Sequence, residues 1–468
     1  MQQTPIIVWL RNDLRLEDNP ALFYAAKQMC PVILLYIYSE DDQRPYPIGA
    51  AAKWWLHHSL KAFSKSIAEQ LILRKGNVLD ILLELAEKTK ARAIFYNKRY
   101  SPHEISHDAT YGKELLKKGL EFKAHDGNLL IEPSELLNQQ GKPFQVYTPF
   151  YTAAMKFFDV KEPLSIPKEL QFYSQNLASL SLDALDLLPK TEWTKGIQEA
   201  WNPGEEGAEK ELSSFCKNNQ ASYAKDRDIP SVMGTSRLSP HLHFGEISIR
   251  KVYAKTWNNE SYRRELYFRE FAHSLLFHFP ETPSKPLHAR FLHFPWKKNE
   301  IFLQAWKKGL TGYPIVDAGM RELWQTGWMH NRVRMIVGSF LVKHLLISWH
   351  EGLKWFWDTL VDADLANNTF GWQWVAGCGA DAAPYFRIFN PTLQGEKFDP
   401  EGLYVKKYVP ELSLVPPKYI HKPWKMEASE LKICGVELGK NYPHPIVDHD
   451  KARVYALDCF KKLSADSK

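Results

Sequence analysis

Short apolar runs alternate with amphipathic segments over the first 130 residues of the chain. These runs are rich in β-branched and aromatic residues, and they span residues 6–10, 32–38, 71–76, 93–97 and 121–127. Such runs are typical of β-strands, whereas the segments between them have helical periodicity. Alternating strands and helices form a parallel sheet with helices on both faces. The pattern therefore predicts a doubly wound α/β domain over residues 1–130.

Two polar loops follow strands of this predicted sheet. The segment RNDLR (11–15) follows the first strand, and NKRYSPHE (97–104) follows the fourth. Ligands of parallel sheets bind beyond the carboxyl ends of the strands, so both loops are candidate ligand sites. Neither loop contains a GxGxxG or P-loop motif, which argues against a conventional dinucleotide or triphosphate site there.

The remainder of the chain divides into a connector and a helical region. Prolines interrupt polar sequence of weak periodicity over residues 131–205, which predicts a long connector between domains. From residue 206 to residue 468, apolar residues recur at spacings typical of amphipathic helices. We therefore expect an all-α domain over residues 206–468.

The composition excludes several classes of protein. The 60 Lys and Arg residues outnumber the 54 Asp and Glu residues, and this net charge of +6 permits a polyanionic partner without requiring one. The five cysteines are widely separated and form no CxxC pair, so neither a disulfide framework nor a zinc site is expected. The amino terminus has no secretory pattern, and no apolar window approaches the ~20 residues of a membrane span. We expect a cytoplasmic protein without membrane contact.

A cluster of hydroxyl groups and an arginine precedes a predicted helix in the segment GTSRLSPHLHFGEIS (234–248). Thr235, Ser236, Arg237 and Ser239 offer hydroxyls, backbone N–H groups and a guanidinium that can converge on a phosphate. Serine and threonine are also common helix caps, so a capped helix beside a surface arginine explains the same residues. The residues alone leave these two interpretations equally open.

The segment DADLANN (362–368) places two aspartates ahead of two asparagines. Asp362 and Asp364 could hydrogen-bond a heterocycle and a ribose, or they could bind a divalent cation. A cation is the weaker of these alternatives, because no further carboxylate lies at loop spacing. Taken alone, the segment is most simply explained as a capped turn.

Tryptophan is unusually abundant, and nine of the 16 tryptophans lie between residues 296 and 374. Trp372 and Trp374 are separated by one residue, so on a helix their side chains point in different directions. Each could simply fill core volume, as most buried tryptophans do. The clustering in one stretch nevertheless calls for an explanation.

Several motifs in a fixed order resemble those of one family. They are WLRNDLRLEDNPAL, GTSRLSPHLHFGEIS, GYPIVDAGMRELWQTGWMHNRVRM, DLANNTFGWQW and APYFRIFNPTLQGEKFDPEG. The chain is thereby identified, from about residue 5 to about residue 455, as similar to the DNA photolyase/cryptochrome family. The resemblance is closest to class I cyclobutane pyrimidine dimer (CPD) photolyases.

The resemblance implies that FAD is bound inside the helical domain. Arg334 matches the arginine that pairs with an aspartate near the isoalloxazine ring, and Asn368 matches the residue beside flavin N5. An asparagine at that position favours a repair enzyme, since many cryptochromes have aspartate or cysteine there. The residues that the resemblance assigns to FAD are Tyr223, Thr235, Ser236, Arg237, Leu238, Ser239, Tyr262, Arg334, Asp362, Ala363, Asp364 and Asn368.

The resemblance also implies a pocket for a flipped-out pyrimidine dimer. Glu265, Met335, Trp374 and Asn368 match its catalytic positions, with Trp374 stacking on the dimer and Glu265 hydrogen-bonding thymine. The DNA-contacting positions are Arg227, Glu265, Phe268, Arg269, Asn331, Arg332, Trp374 and Gln394. The chain departs from the family pattern at two of these aromatic positions, because Phe268 and Tyr262 stand where tryptophan is usual.

Two further features follow from the resemblance. Trp372, Trp349 and Trp296 match a chain of tryptophans that conducts an electron from the surface to the flavin. His103, Glu104 and Lys285 match positions that contact an antenna chromophore, and His103 replaces the usual asparagine. The expected antenna is 5,10-methenyltetrahydrofolate, favoured over a deazaflavin.

The predicted function is therefore light-driven repair of CPDs by a monomer that binds UV-damaged DNA. A cryptochrome-like photoreceptor that signals through a partner is the alternative. A light-independent flavin oxidoreductase is a third hypothesis, and it has less support because nothing in the sequence resembles a nicotinamide site.

Overall fold

The computed structural model describes residues 4–157, 162–382 and 386–465. The first three residues of the motif APYFRIFNPTLQGEKFDPEG, at positions 383–385, lie outside this description. Within the described ranges, no helix is long and apolar enough to cross a membrane.

The amino-terminal region forms a parallel five-stranded sheet with the strand order β3-β2-β1-β4-β5. The strands are β1 (Ile6–Leu10), β2 (Val32–Tyr38), β3 (Leu71–Lys75), β4 (Ala93–Asn97) and β5 (Glu121–His125). All of the paired strands run parallel, with β1 between β2 and β4. The predicted doubly wound α/β fold is confirmed, and each predicted strand is present within two residues of its expected bounds.

Helices make up most of the remaining regular structure. The α-helices are α1 (Pro20–Ala26), α2 (Ala50–Ser66), α3 (Val78–Thr89), α4 (Pro102–Lys117), α5 (Tyr147–Phe157), α6 (Lys195–Ala200), α7 (Glu205–Ser214), α8 (Tyr223–Asp226), α9 (Ser239–His243), α10 (Ile249–Thr256), α11 (Glu260–His278), α12 (Glu300–Lys307), α13 (Pro314–Thr326), α14 (Asn331–Ser339), α15 (Trp349–Thr359), α16 (Leu365–Ala376), α17 (Pro391–Phe398), α18 (Leu403–Tyr408), α19 (Pro417–Ile420), α20 (Ala428–Ile433) and α21 (His449–Ala465). Short 3₁₀ segments cover Asp183–Leu185, Ala289–His293, Pro410–Leu412 and Pro423–Lys425, and π-helical turns cover Phe215–Asn219 and Phe340–His344. The expected helix-rich carboxyl-terminal region is confirmed.

The central strands are buried because helices cover both faces of the sheet. Every residue of β1 is buried, and its side chains alternate between two hydrophobic clusters. Ile6 and Val8 belong to a cluster with Trp55 of α2, whereas Ile7 belongs to a cluster with Leu82 of α3. Alternation of this kind follows from the two-residue period of a strand. It explains why the strand sequences are continuously apolar.

The predicted connector (131–205) contains more structure than its weak periodicity indicated. Helix α5 lies within it, and Pro149 stands in the first turn of α5, where a missing N–H group breaks no intrahelical bond. Phe172 forms a parallel bridge to Val32 at the start of β2. The connector therefore packs against both regions of the molecule, and its bounds remain a prediction.

The loop after β1 anchors the sheet to the helical region. The guanidinium of Arg15 is buried and donates to the carbonyl oxygens of Gly245 and Gly127 at 2.9 and 2.7 Å. Asp18 accepts two bonds from Arg250 of α10, at 2.7 and 2.8 Å. These contacts fix the carboxyl edge of the sheet against the helices, where the main cavity lies.

Candidate functional site

A cavity of about 740 Å³ lies between the carboxyl edge of the sheet and the helical region. It brings together most of the side chains that the sequence predicted for cofactor, lesion and antenna. The predicted residues that line it are His103, Glu104, Tyr223, Arg227, Thr235, Ser236, Arg237, Leu238, Ser239, Tyr262, Glu265, Phe268, Arg269, Asn331, Arg332, Arg334, Met335, Asp362, Ala363, Asp364, Asn368, Trp372 and Trp374. The predicted residues Gln394, Lys285, Trp349 and Trp296 do not line it.

The hydroxyl cluster faces this cavity instead of capping a helix. The N-cap residue of α9 is Leu238, which has no side chain able to cap, so the capping alternative does not hold. The hydroxyl of Ser236 accepts a bond from the hydroxyl of Tyr262 at 2.8 Å. Thr235 and Ser239 line the cavity beside it.

Arg237 supplies a cation to the same wall. Its backbone has a left-handed φ of 54°, which is uncommon for a residue other than glycine. The guanidinium lies 4.0 Å from the ring centroid of Trp201 and donates to the carbonyl oxygen of Ala200 at 3.1 Å. Burial lowers the pKa of Arg237, although Glu211 opposes that effect. No ion pair within the described residues uses this guanidinium, so it remains free to hold a phosphate.

Arg334 and Asp362 form the pair that the resemblance implied. Two oxygens of Asp362 accept bonds from Nη2 of Arg334, at 2.8 and 3.1 Å. Nε of Arg334 donates to the carbonyl oxygen of Met329 at 2.8 Å, which fixes the guanidinium in place. The pair lies in the cavity wall with Asp362 almost fully buried.

Asp364 is the center of a partly buried polar cluster. Its carboxylate caps α16 by accepting a bond from the backbone N–H of Asn367 at 2.8 Å, so the capped turn does form. The carboxylate also lies 3.6 Å from Nε2 of His273 and 3.8 Å from Nδ1 of His243. Burial raises the pKa of Asp364, but His273 and His243 outweigh burial and hold it well below its ordinary value.

His273 is a cavity residue that the sequence did not single out. Burial lowers the pKa of His273 to about 4, so the ring is neutral near pH 7. Both of its ring nitrogens are buried without a hydrogen-bond partner among the described residues. Buried polar atoms of this kind are normally satisfied, which makes His273 a fitting partner for a polar group of a cofactor. Its position two turns after Glu265 on α11 was the available sequence signal.

The lesion end of the cavity contains acidic and basic side chains that pair with each other. Glu265 lies 2.5 Å from Nη1 of Arg227, and Asp228 lies 2.8 Å from Nη2 of Arg332. Burial lowers the pKa of Arg227, but Glu265 outweighs it and the net shift is upward. Both arginines therefore enter the site as charged groups held by carboxylates.

The guanidinium of Arg269 already has hydrogen-bond partners within the protein. It donates to Glu270 at 2.9 Å and to the carbonyl oxygen of Asn128 at 3.0 Å. Glu270 also accepts bonds from the backbone N–H groups of Leu130 and Ile131, which ties α11 to the start of the predicted connector. The predicted contact of Arg269 with DNA would have to form beside these bonds.

Asn368 and Trp374 are both held by backbone oxygens. Nδ2 of Asn368 donates to the carbonyl oxygen of Leu353 at 3.1 Å, which fixes the orientation of the amide. Nε1 of Trp374 donates to the carbonyl oxygen of Asp381 at 3.1 Å. Met335 lies 3.8 Å from the guanidinium of Arg332 through its sulfur atom. These side chains line one cavity and have fixed orientations.

The predicted tryptophan chain is only partly at the cavity. Trp372 lines it, and its ring contacts Phe356 and Trp306 at centroid separations of 5.0 and 6.2 Å. Gly352 allows this packing, because a Cβ there would lie 2.1 Å from the indole of Trp372. Trp349 is buried and stacks on His350, whereas Trp296 is partly buried against Phe294. Trp306 was not among the predicted residues.

The predicted antenna residues are divided by the structure. His103 and Glu104 line the cavity on α4, where burial lowers the pKa of His103. Lys285 is 58% exposed and forms an ion pair with Glu281 at 3.0 Å. The cavity wall therefore includes two of the three residues and leaves Lys285 at the surface.

The residues present fit FAD. The hydroxyls near Arg237 and its unpaired guanidinium suit phosphates, while Asp362 with Arg334 and the open nitrogens of His273 suit the polar edges of a nucleotide and a flavin. The volume lies in the range of pockets that bury a ligand of this kind. Among the described residues, no group of three or more His, Cys, Asp and Glu side chains could hold a metal ion.

Comparison with known proteins agrees with this fit. The family model "DNA photolyase" matches residues 6–168, and "FAD binding domain of DNA photolyase" matches residues 262–462. A deoxyribodipyrimidine photo-lyase of Agrobacterium fabrum is 48% identical over 98% of each chain. Cryptochrome-1 of Arabidopsis thaliana is 38% identical over 99% of this chain and 71% of that protein.

A solved structure is also very similar. It is a bacterial class III photolyase from Agrobacterium tumefaciens, with a TM-score of 0.96 and 46% identity over 99% of this chain and 98% of that one. The family expected from the motifs is confirmed, although this relative gives no support to class I. The chain therefore belongs to the DNA photolyase family and carries that family's FAD-binding domain.

Proposed function

We propose that this protein is a photolyase that splits cyclobutane pyrimidine dimers in DNA under near-ultraviolet or blue light. The observation that carries this proposal is the meeting of two residue sets in one cavity. Glu265, Met335 and Trp374, which match lesion positions, line the same cavity as the residues that fit FAD. When bound in its reduced form and excited by light, FAD supplies the electron for the reaction.

The chain's own residues have distinct tasks in this proposal. The dimer must leave the base stack, because the reacting bonds are inaccessible within a duplex. Trp374 and Phe268 offer aromatic faces that replace lost base stacking, worth roughly 1–3 kcal/mol per base. Glu265 accepts a hydrogen bond from thymine, and the cation of Arg227 held beside it stabilises the charge that the dimer gains. Met335 packs at the dimer.

Basic residues hold the DNA backbone. Arg227 and Arg332 line the cavity, and their charge suits phosphates beside a flipped nucleotide. Asn331 also lines the cavity. Gln394 does not line it, and Arg269 is bonded to Glu270, so these two residues are the least supported of the predicted DNA contacts. We further propose that the protein acts as a monomer in the cytoplasm, where its five free cysteines stay reduced.

An antenna chromophore is a weaker part of the proposal. His103 and Glu104 at the cavity support a chromophore near α4, and we retain 5,10-methenyltetrahydrofolate as the candidate. Lys285 lies at the surface and does not line the cavity, so its contact with the antenna stays a prediction.

A cryptochrome-like photoreceptor remains the second candidate, since plant cryptochromes are 38% identical to this chain. Asn368, Met335 and Trp374 favour repair, because they match positions of the enzymes that the sequence resembles. The two functions differ in their effect on damaged DNA.

The test uses purified full-length protein loaded with reduced FAD and a UV-irradiated oligothymidine. Repair predicts loss of dimers under blue light and no loss in the dark. A Tyr173→Phe variant is a matched control, because Tyr173 does not line the cavity and its hydroxyl bonds only Gln175 among the described residues. Intact dimers after illumination would exclude the repair function and leave the photoreceptor as the better account.

A further inference from the structure

Tyr147 stacks directly on Phe268, one of the two aromatic residues at which this chain departs from the family pattern. The two ring centroids are 3.5 Å apart, and the ring planes differ by 9°. Tyr147 is only 2% exposed, whereas Phe268 reaches the cavity wall. Tyr147 is the first residue of α5 and therefore comes from the predicted connector.

Two hydrogen bonds link Tyr147 to other parts of the lesion end. Its hydroxyl donates to the carbonyl oxygen of Arg264 at 2.6 Å, and Arg264 is the residue before Glu265. Its backbone N–H donates to the carboxylate of Asp381 at 3.0 Å. Tyr147 thus contacts the backbone beside Glu265 as well as the ring of Phe268.

Asp381 continues this link to the opposite aromatic residue. Its carbonyl oxygen accepts the indole N–H of Trp374 at 3.1 Å, while its backbone N–H donates to the carbonyl oxygen of Gln145 at 3.0 Å. Asp381 also has a left-handed φ of 53°, a conformation that costs free energy for a residue with a side chain. Residues in such conformations persist where surrounding bonds fix them, and here the bonds to Tyr147 and Trp374 do so.

We propose that Tyr147 and Asp381 are positioning residues of the lesion site. They fix the separation between the Phe268 and Trp374 rings, and Tyr147 backs the smaller phenyl ring where related enzymes have an indole. This inference rests on the proposed function, because it concerns the binding of a flipped dimer. Its physical basis is preorganisation: a ring that is already held in place loses less conformational entropy on binding.

Ordinary core packing is the competing explanation of the same stack. Tyr147 and Phe268 belong to one hydrophobic cluster, so removal of either ring is expected to reduce stability. Stability alone therefore does not separate the two explanations. The separating readout is the affinity for dimer-containing DNA relative to undamaged DNA of the same sequence.

The experiment measures both dissociation constants and the melting temperature of each FAD-loaded, full-length variant. Tyr147→Leu should weaken dimer binding by about threefold to tenfold, the range expected when one side chain must be ordered on binding, and leave undamaged DNA unchanged. Tyr147→Phe retains the ring and should stay within twofold of the parent, as an estimate from its retained stack. Asp381→Ala should weaken dimer binding in the same direction as Tyr147→Leu.

Tyr151→Leu is the matched control. Tyr151 lies on the same helix and also contacts Tyr147, with centroids 5.8 Å apart, but within the described residues its ring contacts do not include Phe268. Equal losses of dimer affinity in Tyr151→Leu and Tyr147→Leu would mean a general loosening of α5, which overturns the positioning role.

Combination with changes at Phe268 makes the test specific. Because Tyr147 acts through Phe268, Tyr147→Leu should add little to the loss caused by Phe268→Ala. Phe268→Trp should restore dimer affinity in the Tyr147→Leu background, since the indole provides the missing area. Additive losses, or unchanged dimer affinity in Tyr147→Leu, would overturn the inference. If the parent protein neither binds dimer-containing DNA more tightly than undamaged DNA nor repairs it, the proposed function itself is refuted.

Discussion

His273 lies 3.6 Å from the carboxylate of Asp364, which caps the helix that carries Asn368. The neutral imidazole and the carboxylate share a partly buried wall of the cavity with His243 on the other side. The three side chains come from α11, α9 and the N-cap of α16. The packing of these helices in the cavity wall therefore depends on the protonation of this one cluster. The first prediction follows from it.

Stability should fall as the pH decreases from about 6.5 toward 4, in part because of His273. Its folded-state pKa is about 4, below the ordinary value of 6.5, so protons bind the unfolded chain more readily in that window. The stabilising contribution is full above pH 6.5 and is lost as the pH falls. His273→Gln should therefore show a smaller difference in melting temperature between pH 7 and pH 5 than the parent protein. Equal differences in both proteins would mean that His273 does not titrate in this way.

Glu265→Gln should lower the quantum yield of dimer splitting while FAD remains bound. The amide keeps the size of the side chain but removes the charged acceptor of the thymine hydrogen bond, and hydrogen bonds to charged groups are worth about 1.5–3 kcal/mol. The substitution also releases Arg227 from its ion pair, so affinity for undamaged DNA should not decrease. Steady illumination of oligothymidine dimers measures the yield, and Asn368→Ser should reduce it as well. Unchanged yields in both variants would remove these residues from the reaction.

The contacts around Arg334 and Asp362 show what sequence reasoning could reach. Their pairing was implied by matched motifs, and the structure has it at 2.8 Å. The strands could also be predicted from the sequence, because parallel sheets have continuous apolar runs whose limits are marked by polar loops. Motif positions and periodicity are local properties, so they can be read from the sequence itself.

Long-range packing could not be predicted from the sequence in the same way. Tyr147 and Asp381 are separated by 234 residues, and neither lies in a motif that indicated their contact. The helix α5 was missed because prolines and polar residues surround it, although tertiary packing against Phe268 and Phe271 stabilises it. Lys285 was assigned by matched position alone, and it lies at the surface beside Glu281.

Trp372→Phe should abolish photoreduction of oxidised FAD and leave repair intact when the flavin is chemically reduced beforehand. Indole gives up an electron more easily than phenyl, and Trp372 is the member of the predicted chain that lines the cavity. Transient absorption measures the photoreduction rate. Because Trp372 packs against Gly352, a melting curve must accompany it to exclude a folding defect. Photoreduction as fast as in the parent protein would show that the electron takes another route.

Arg332→Ala should weaken binding to damaged and undamaged DNA together. Each lost phosphate contact reduces the slope of log affinity against log salt by about 0.9 for duplex DNA. Arg332 is held at 2.8 Å by Asp228, so Asp228→Asn is a useful counterpart that keeps the cation and should strengthen binding. A change confined to dimer selectivity would contradict the assignment of Arg332 to the DNA backbone.

The most direct test of the account is light-dependent dimer splitting by the full-length protein with reduced FAD. Glu265, Met335 and Trp374 share one cavity with the residues that fit FAD, so the account predicts that blue light restores thymines from dimers over many turnovers. The dark sample should retain all of its dimers. Equal dimer content in the illuminated and dark samples, with FAD bound in both, would contradict the account.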